Sequence, residues 1–248
     1  MLRVGRIPYL NCEPFFHRLE GVQLVDLIPR VLGRAMAADE LDAGPLSLMD
    51  YVRLESRLVP LPYGIGCPTG ARSVLVFSDR PLAALDGARV GITGETSTSV
   101  ELLRVLLTLR HEVAPAAWVG PDEPCDAVLL IGDQAIKRLT RGPAAAHVFD
   151  LGLEWRDWTG LPFVFARWAV AARVSAAERR AFERALDAAL DRGMEALPEI
   201  AASHRDLGWS AAEVASYLRN FAFRLGPDEE KGAAEFLRLR AQLGAGRC

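Results

Sequence analysis

The sequence predicts an α/β fold in two lobes with a ligand cleft between them, and three observations predict it. The first 80 or so residues alternate short apolar runs with helical patterns, which is the order of βαβ units. A Gly/Pro-rich stretch then leads into a second alternation of the same kind. Finally a long apolar run, Leu161–Ala171, opens onto a tail that reads as helical throughout. The 248 residues, half of them hydrophobic, suffice for two modest cores, because domains typically run to roughly 100–150 residues.

In chain order, Leu2–Ile7, Val22–Leu27 and Leu41–Ala43 read as strands, each followed by a helical pattern. Leu58–Leu61 is a further strand, and Tyr63–Gly70 has the composition of a loop. The alternation restarts with strand Ser73–Phe77, a turn at Leu85-Asp86-Gly87, strand Arg89–Ile92, helix Ser99–Leu109, strand Ala127–Ile131 and helix Gln134–Leu139. After Ser175, Phe182, Leu186, Leu190, Met194 and Leu197 recur at helical spacing. Crossings between lobes are expected near Phe77–Leu85 and Leu161–Ala171. Residues 1–82 plus 166–248 then form a discontinuous lobe one, and residues 83–165 an inserted lobe two. A single doubly wound sheet is the competing arrangement.

Composition removes several functions. A net charge of -3, from 29 basic and 32 acidic residues, gives no global field for a phosphate backbone, so no nucleic-acid partner is expected. The N-terminus passes from Met1 directly into a strand-like segment, so neither export nor a membrane span is expected and the location is expected to be cytoplasmic. Cys12, Cys67, Cys125 and Cys248 lie far apart without a C-x-x-C pair and read as reduced thiols, Cys248 in a loose tail. The four histidines lack metal-ligand spacing, so no metal is expected. The glycines around Gly64 follow a G-x-G-x-x-x-G spacing and precede a strand, which rejects the dinucleotide fingerprint. No phosphate loop and no G-x-S-x-G elbow occur.

Four segments have the form of a capping box: Ser47–Asp50, Thr98–Glu101, Ser175–Glu178 and Ser210–Glu213. The last two lie in the helical tail, where such a box marks only a helix start. Ser47 and Thr98 each follow a strand and a Gly-containing turn, at the strand carboxyl ends where open α/β sheets bind ligands. A helix start stabilises an anion without lysine, and the chain has only Lys137 and Lys231. Thr96, Ser97, Thr98 and Ser99 are the leading candidates for holding a carboxylate. Gly132-Asp133 repeats the strand-to-helix geometry, Asp133 being equally readable as an N-cap. Trp155 and Trp158, three apart, read as packing. Asn11, among apolar neighbours in Arg6–Phe15, carries an amide that needs partners.

That opening segment, together with Leu41–Ser47, Thr98–Leu103, Ala127–Asp133 and Trp158–Ala166, resembles the chorismate dehydratase family of the futalosine route to menaquinone. The resemblance covers about Arg3 to Ala171. It implies a two-lobed, type 2 periplasmic-binding-protein-like fold and a hydro-lyase reaction in which chorismate loses water to give 3-[(1-carboxyvinyl)oxy]benzoate, with no cofactor. On the family pattern Asn11 and Ser73 carry the activity, and Tyr9, Ser47, Thr96–Ser99, Gly132 and Asp133 are expected to bind substrate. Two bases stay open: the substrate's own enolpyruvyl carboxylate and Glu13. Rival readings are the related 1,4-dihydroxy-6-naphthoate synthase, a non-catalytic carboxylate receptor, and the effector domain of a transcription regulator. Oligomeric state stays open.

Overall fold

The computed structural model describes residues 1–245, so Cys248 lies outside the described residues. The strands, in chain order, are β1 (Leu2–Arg6), β2 (Val22–Asp26), β3 (Ala43–Ser47), β4 (Leu58–Cys67), β5 (Val74–Ser78), β6 (Arg89–Ile92), β7 (Ala117–Val119), β8 (Ala127–Ile131), β9 (His147–Asp150), β10 (Phe163–Ala171) and β11 (Ala222–Arg224). The helices are α1 (Glu13–Phe16), α2 (Pro29–Ala37), α3 (Leu48–Leu54), α4 (Thr98–Val105), α5 (Gly132–Arg141), α6 (Leu151–Thr159), α7 (Ala176–Glu195), α8 (Leu197–Ser203), α9 (Ala211–Arg219) and α10 (Pro227–Ala245). No described helix is long and apolar enough to cross a membrane.

Two sheets result, and they define the lobes. The first has the order β11-β4-β10-β3-β1-β2 and the second β7-β6-β8-β5-β9. In the first, β1 runs parallel to β2 and β3, while β10 returns antiparallel between β3 and β4. In the second, β6 is parallel to β7 and β8, and β5 is antiparallel to β8 and β9. The single doubly wound sheet is thereby excluded.

The sheet crossings differ from the expected ones. β5, placed by the sequence reading in lobe one, pairs on both sides within the second sheet, Val76 standing opposite Leu129 of β8 and Phe149 of β9. The chain therefore changes sheets between Cys67 and Val74, before the expected Phe77–Leu85 crossing, and changes back between Asp150 and Phe163. The cause is that β5 is buried along its whole length, and an all-apolar run does not announce which sheet will cover it.

The Gly/Pro-rich stretch also differs from expectation, because β4 continues through it to Cys67. Its glycines serve close backbone approach: a Cβ at Gly64 would stand 2.3 Å from the Ala166 carbonyl oxygen of β10. Registers shift opposite Val164/Ala166 and Arg167/Ala169, where the ladder bulges. The tail is not wholly helical either, since β11 adds an edge strand beside β4, its three residues too few to show a period.

Aromatic side chains fill the space beneath each end of β10. Phe15, Phe16 and Phe182 surround Trp168, and Trp155 packs edge-on against Trp158, Phe163 and Phe236. Trp155 is fully buried and donates its indole N–H to the Pro162 carbonyl at 3.2 Å, which gives the tryptophan pair the packing role expected of it. Ser175 and Ser210 both form complete capping boxes at the starts of α7 and α9.

Candidate active site

The carboxyl ends of β1, β3 and β8 and the amino end of β5, which is antiparallel to β8, converge on one cavity of about 60 Å³. The sequence-predicted residues Tyr9, Asn11, Ser47, Ser73, Thr96, Ser97, Thr98, Ser99 and Gly132 all line it. Asp133 lies beside the cavity without lining it. The remaining lining is largely apolar, including Ile7, Ile65, Val74, Ile131, Phe165 and Phe221, so polar groups inside act in a medium of low dielectric.

Asn11 lies in a 3-10 turn, Leu10–Cys12, that follows β1 and is held from the other lobe. The Leu10 backbone N–H donates to Asp133 Oδ1 at 3.1 Å. Asp133 therefore tethers the turn that carries Asn11, and it is not an N-cap, because α5 begins at Gly132 with Ile131 in the cap position. Asn11 Oδ1 is buried and has no hydrogen-bond partner. An unsatisfied buried acceptor costs about 1–3 kcal/mol, and the residue that carries this one lines the cavity. The Cys12 thiol beside it is pushed up in pKa by burial, then by Glu13 and Asp133, which keeps it a protonated thiol and disfavours it as a nucleophile.

Tyr9 crosses the cleft. Its hydroxyl donates to Glu95 Oε2, while Gln134 Nε2 donates to Glu95 Oε1 at 2.5 Å. Burial, reinforced by the Asp133 charge, raises the Glu95 carboxyl above its ordinary value, and burial likewise raises Asp133. Gly132, with φ +56°, lets the Tyr9 ring approach the start of α5 closely: a Cβ there would be 2.6 Å from the ring.

Ser73 is 1% exposed and sits at the end of a clamped loop. Asp150 accepts from the Ala71 and Arg72 backbone N–H groups at 2.9 and 2.6 Å while capping α6. This holds Arg72 in the left-handed region, φ +56°, a conformation that costs of order 1–3 kcal/mol in a non-glycine residue. Tyr217 of α9, itself buried, donates its hydroxyl to Ser73 Oγ at 2.7 Å. Sequence reasoning missed Tyr217, a lone aromatic on the helical tail 144 residues from its partner, and missed Glu95 in the shadow of the neighbouring hydroxyl cluster.

The two expected helix starts are built differently. At α3, Ser47 is the N-cap: its hydroxyl accepts from the Asp50 N–H at 3.1 Å and donates to Asp50 Oδ2 at 2.7 Å. The next N–H, of Met49, donates across the cleft to Thr98 Oγ1 at 3.1 Å. The expected Thr98–Glu101 capping box does not form. α4 begins one residue earlier, with Ser97 at the cap position and no side-chain cap bond, and Glu101 turns outward to Arg104 and Arg240. Thr96 Oγ1 accepts from the Ser99 N–H at 3.1 Å.

Three interlobe hydrogen bonds, at Tyr9, Leu10 and Met49, thus border a space of the size of a few waters.

The chain is similar to known proteins over nearly its full length. It is 32% identical to a chorismate dehydratase of Thermus thermophilus, covering 94% of this chain and 93% of that one. It is 27% identical to a 1,4-dihydroxy-6-naphtoate synthase of the same organism, covering 94% and 91%. Among solved structures, the periplasmic aliphatic sulphonate binding protein SsuA from Escherichia coli superposes with a TM-score of 0.63 at 17% identity, over 99% of this chain and 87% of that one. That likeness establishes the two-lobed periplasmic-binding-protein-like fold. The family described as menaquinone biosynthesis matches residues 2–242, and this chain belongs to it.

Proposed function

We propose that this chain is a chorismate dehydratase acting in menaquinone biosynthesis, a hydro-lyase that converts chorismate to 3-[(1-carboxyvinyl)oxy]benzoate and water. The 32% identity to the Thermus dehydratase over 94% of the chain supports the activity. The observation that carries the site is the buried, partnerless Asn11 Oδ1 in the cavity wall. The synthase reading has less support, at 27% identity.

The reaction removes the ring proton at the ether-bearing carbon. Its bonding pair becomes a ring double bond, and the neighbouring hydroxyl leaves as water with the abstracted proton. Aromatisation of the ring drives the elimination forward. The enolpyruvyl carboxylate of the substrate is the proposed base. Glu13, the other candidate, is already paired with Arg6 at 3.0 Å and does not line the cavity. Asn11 then orients the substrate through its amide. Ser73 accepts from Tyr217, and its own proton is held only by a long 3.3 Å bond to the Ala71 carbonyl, so it is free to turn toward the departing hydroxyl. Well-oriented intramolecular proton transfer supplies several kcal/mol, on the order of 7–11 in favourable cases, so no dedicated protein base is required.

One carboxylate of the substrate is assigned to the α4 start, at Thr96–Ser99, where the dipole and backbone donors favour an anion. Tyr9 and Gly132 are assigned to the wall beside the ring. A cytoplasmic location belongs to the proposal and is supported by Cys12, Cys67 and Cys125 all being free thiols.

The test is incubation of purified protein with chorismate, following the loss of one water by mass and the change from diene to aromatic ultraviolet absorption. Conversion is expected. Tight binding without conversion would turn the reading to a receptor, and turnover of only the synthase's substrate would turn it to the synthase.

A further inference from the structure

A second and larger cavity, about 630 Å³, adjoins the first and shares Thr96 and Ser97 with it. Its lining is strongly cationic: Arg30, Arg34, Arg53 and Arg104 stand against a single acid, Asp50. Arg30 and Arg34 are one turn apart on α2, both exposed, and neither forms an ion pair among the described residues. Arg53 is paired with the buried Asp50. Arg104, on the opposite lobe, pairs with Glu101 and lies 5.1 Å from the centre of the Trp118 ring, which also lines this cavity. Positive charge is therefore concentrated at one place on a chain whose net charge is -3.

We propose that this arginine-lined cavity is a capture subsite for dicarboxylates, where the dianionic substrate docks before the lobes part and it passes Thr96 and Ser97 into the inner cavity. The inference rests on the functional reading above for the identity of the dianion. Three observations support it. The inner cavity is about a tenth the size of the outer one, so the outer one accommodates a ten-carbon acid with the interlobe hydrogen bonds in place. Guanidinium groups suit carboxylates because their planar donor pair matches the two oxygens. The cationic lining draws side chains from α2 and α3 on one lobe and from α4 on the other, so a dianion held there is in contact with both lobes. A cleft lined by one sign of charge raises the arrival rate of the opposite ion by about 10–10³-fold, and salt screens the gain.

The experiment is stopped-flow mixing of chorismate with the native chain and with the Arg30→Gln/Arg34→Gln double variant, read by tryptophan fluorescence at low and high ionic strength. The association rate constant is expected to fall on the order of tenfold in the variant at low salt. Its salt dependence should flatten, and the loss should fall on kcat/KM with kcat largely retained. Equal association rates and equal salt slopes would overturn the subsite. Succinate, a dicarboxylate with nothing to eliminate, separates this proposal from the functional one. Its fluorescence titration should weaken in the double variant even if chorismate proves not to be turned over, whereas equal succinate binding by both proteins overturns the subsite while leaving the dehydratase reading intact.

Discussion

The α3 start and the α4 start face each other across the cavity, and the contrast between them shows how this cleft is arranged for an anion. At α3, Ser47 and Thr98 take up the Asp50 and Met49 N–H groups, so protein hydroxyls already occupy the donors. At α4, Ser97 makes no cap bond, Thr96 takes up the Ser99 N–H, and a run of four hydroxyl residues surrounds the first turn. Both starts follow the same pattern of strand, glycine and hydroxyl. At α3 a second N–H is given to closure of the lobes, whereas at α4 a side-chain hydroxyl takes up the Ser99 N–H alone.

The largest expected effect lies on the lobe-one wall shared with α3. Asn11→Leu removes the partnerless amide at nearly constant volume, and turnover should fall on the order of 10²–10³-fold, as for removal of a transition-state donor, with the unfolding midpoint little changed. A fully active N11L enzyme would leave the site with no essential group on that wall. Next is Gly132→Ala, which forces a side chain into the Tyr9 ring at positive φ. It should cost about 1–3 kcal/mol in denaturant unfolding, and an unperturbed variant would show that Tyr9 does not need that seat.

The pair Thr96→Val and Ser47→Ala tests the contrast directly. Each removes a hydroxyl worth about 1 kcal/mol to its helix start. The Thr96 variant should raise KM severalfold, whereas the Ser47 variant should lower stability and leave KM nearly alone. Equal KM effects would make the two starts equivalent. The smallest effect concerns pH. Burial raises the folded-state pKa of Glu95, so its contribution to stability is complete below the unfolded value, roughly 4.3, and is lost as pH rises through the folded value. Glu95→Gln should therefore gain stability relative to the native chain as pH rises above the unfolded value, roughly 4.3, and a constant difference as pH rises would remove Glu95 as a titrating latch.

Much of this site is readable along the chain because its pieces are local motifs. Thr96–Ser99, the turn at Gly132 and the amide of Asn11 are each visible within a few residues, and the structure gathers all of them around one cavity. The exchange of strands between sheets was not readable. β5 and the glycine-rich end of β4 are apolar or small throughout, and a fully buried strand has no alternation to mark its neighbours.

What the sequence determined by itself is the two-lobed α/β class, the family, and the residues that end up facing the cleft, because periodicity, turn chemistry and short motifs are properties of neighbours in the chain. Tertiary structure decided the rest. It placed β5 in the second sheet, turned Asp133 from an apparent cap into a tether for the Asn11 turn, supplied Tyr217 to Ser73, and gathered arginines of α2, α3 and α4 around one outer cavity. Each of these joins groups tens to more than a hundred residues apart, and such contacts form only when burial of the two cores brings distant segments within hydrogen-bonding or Coulombic reach.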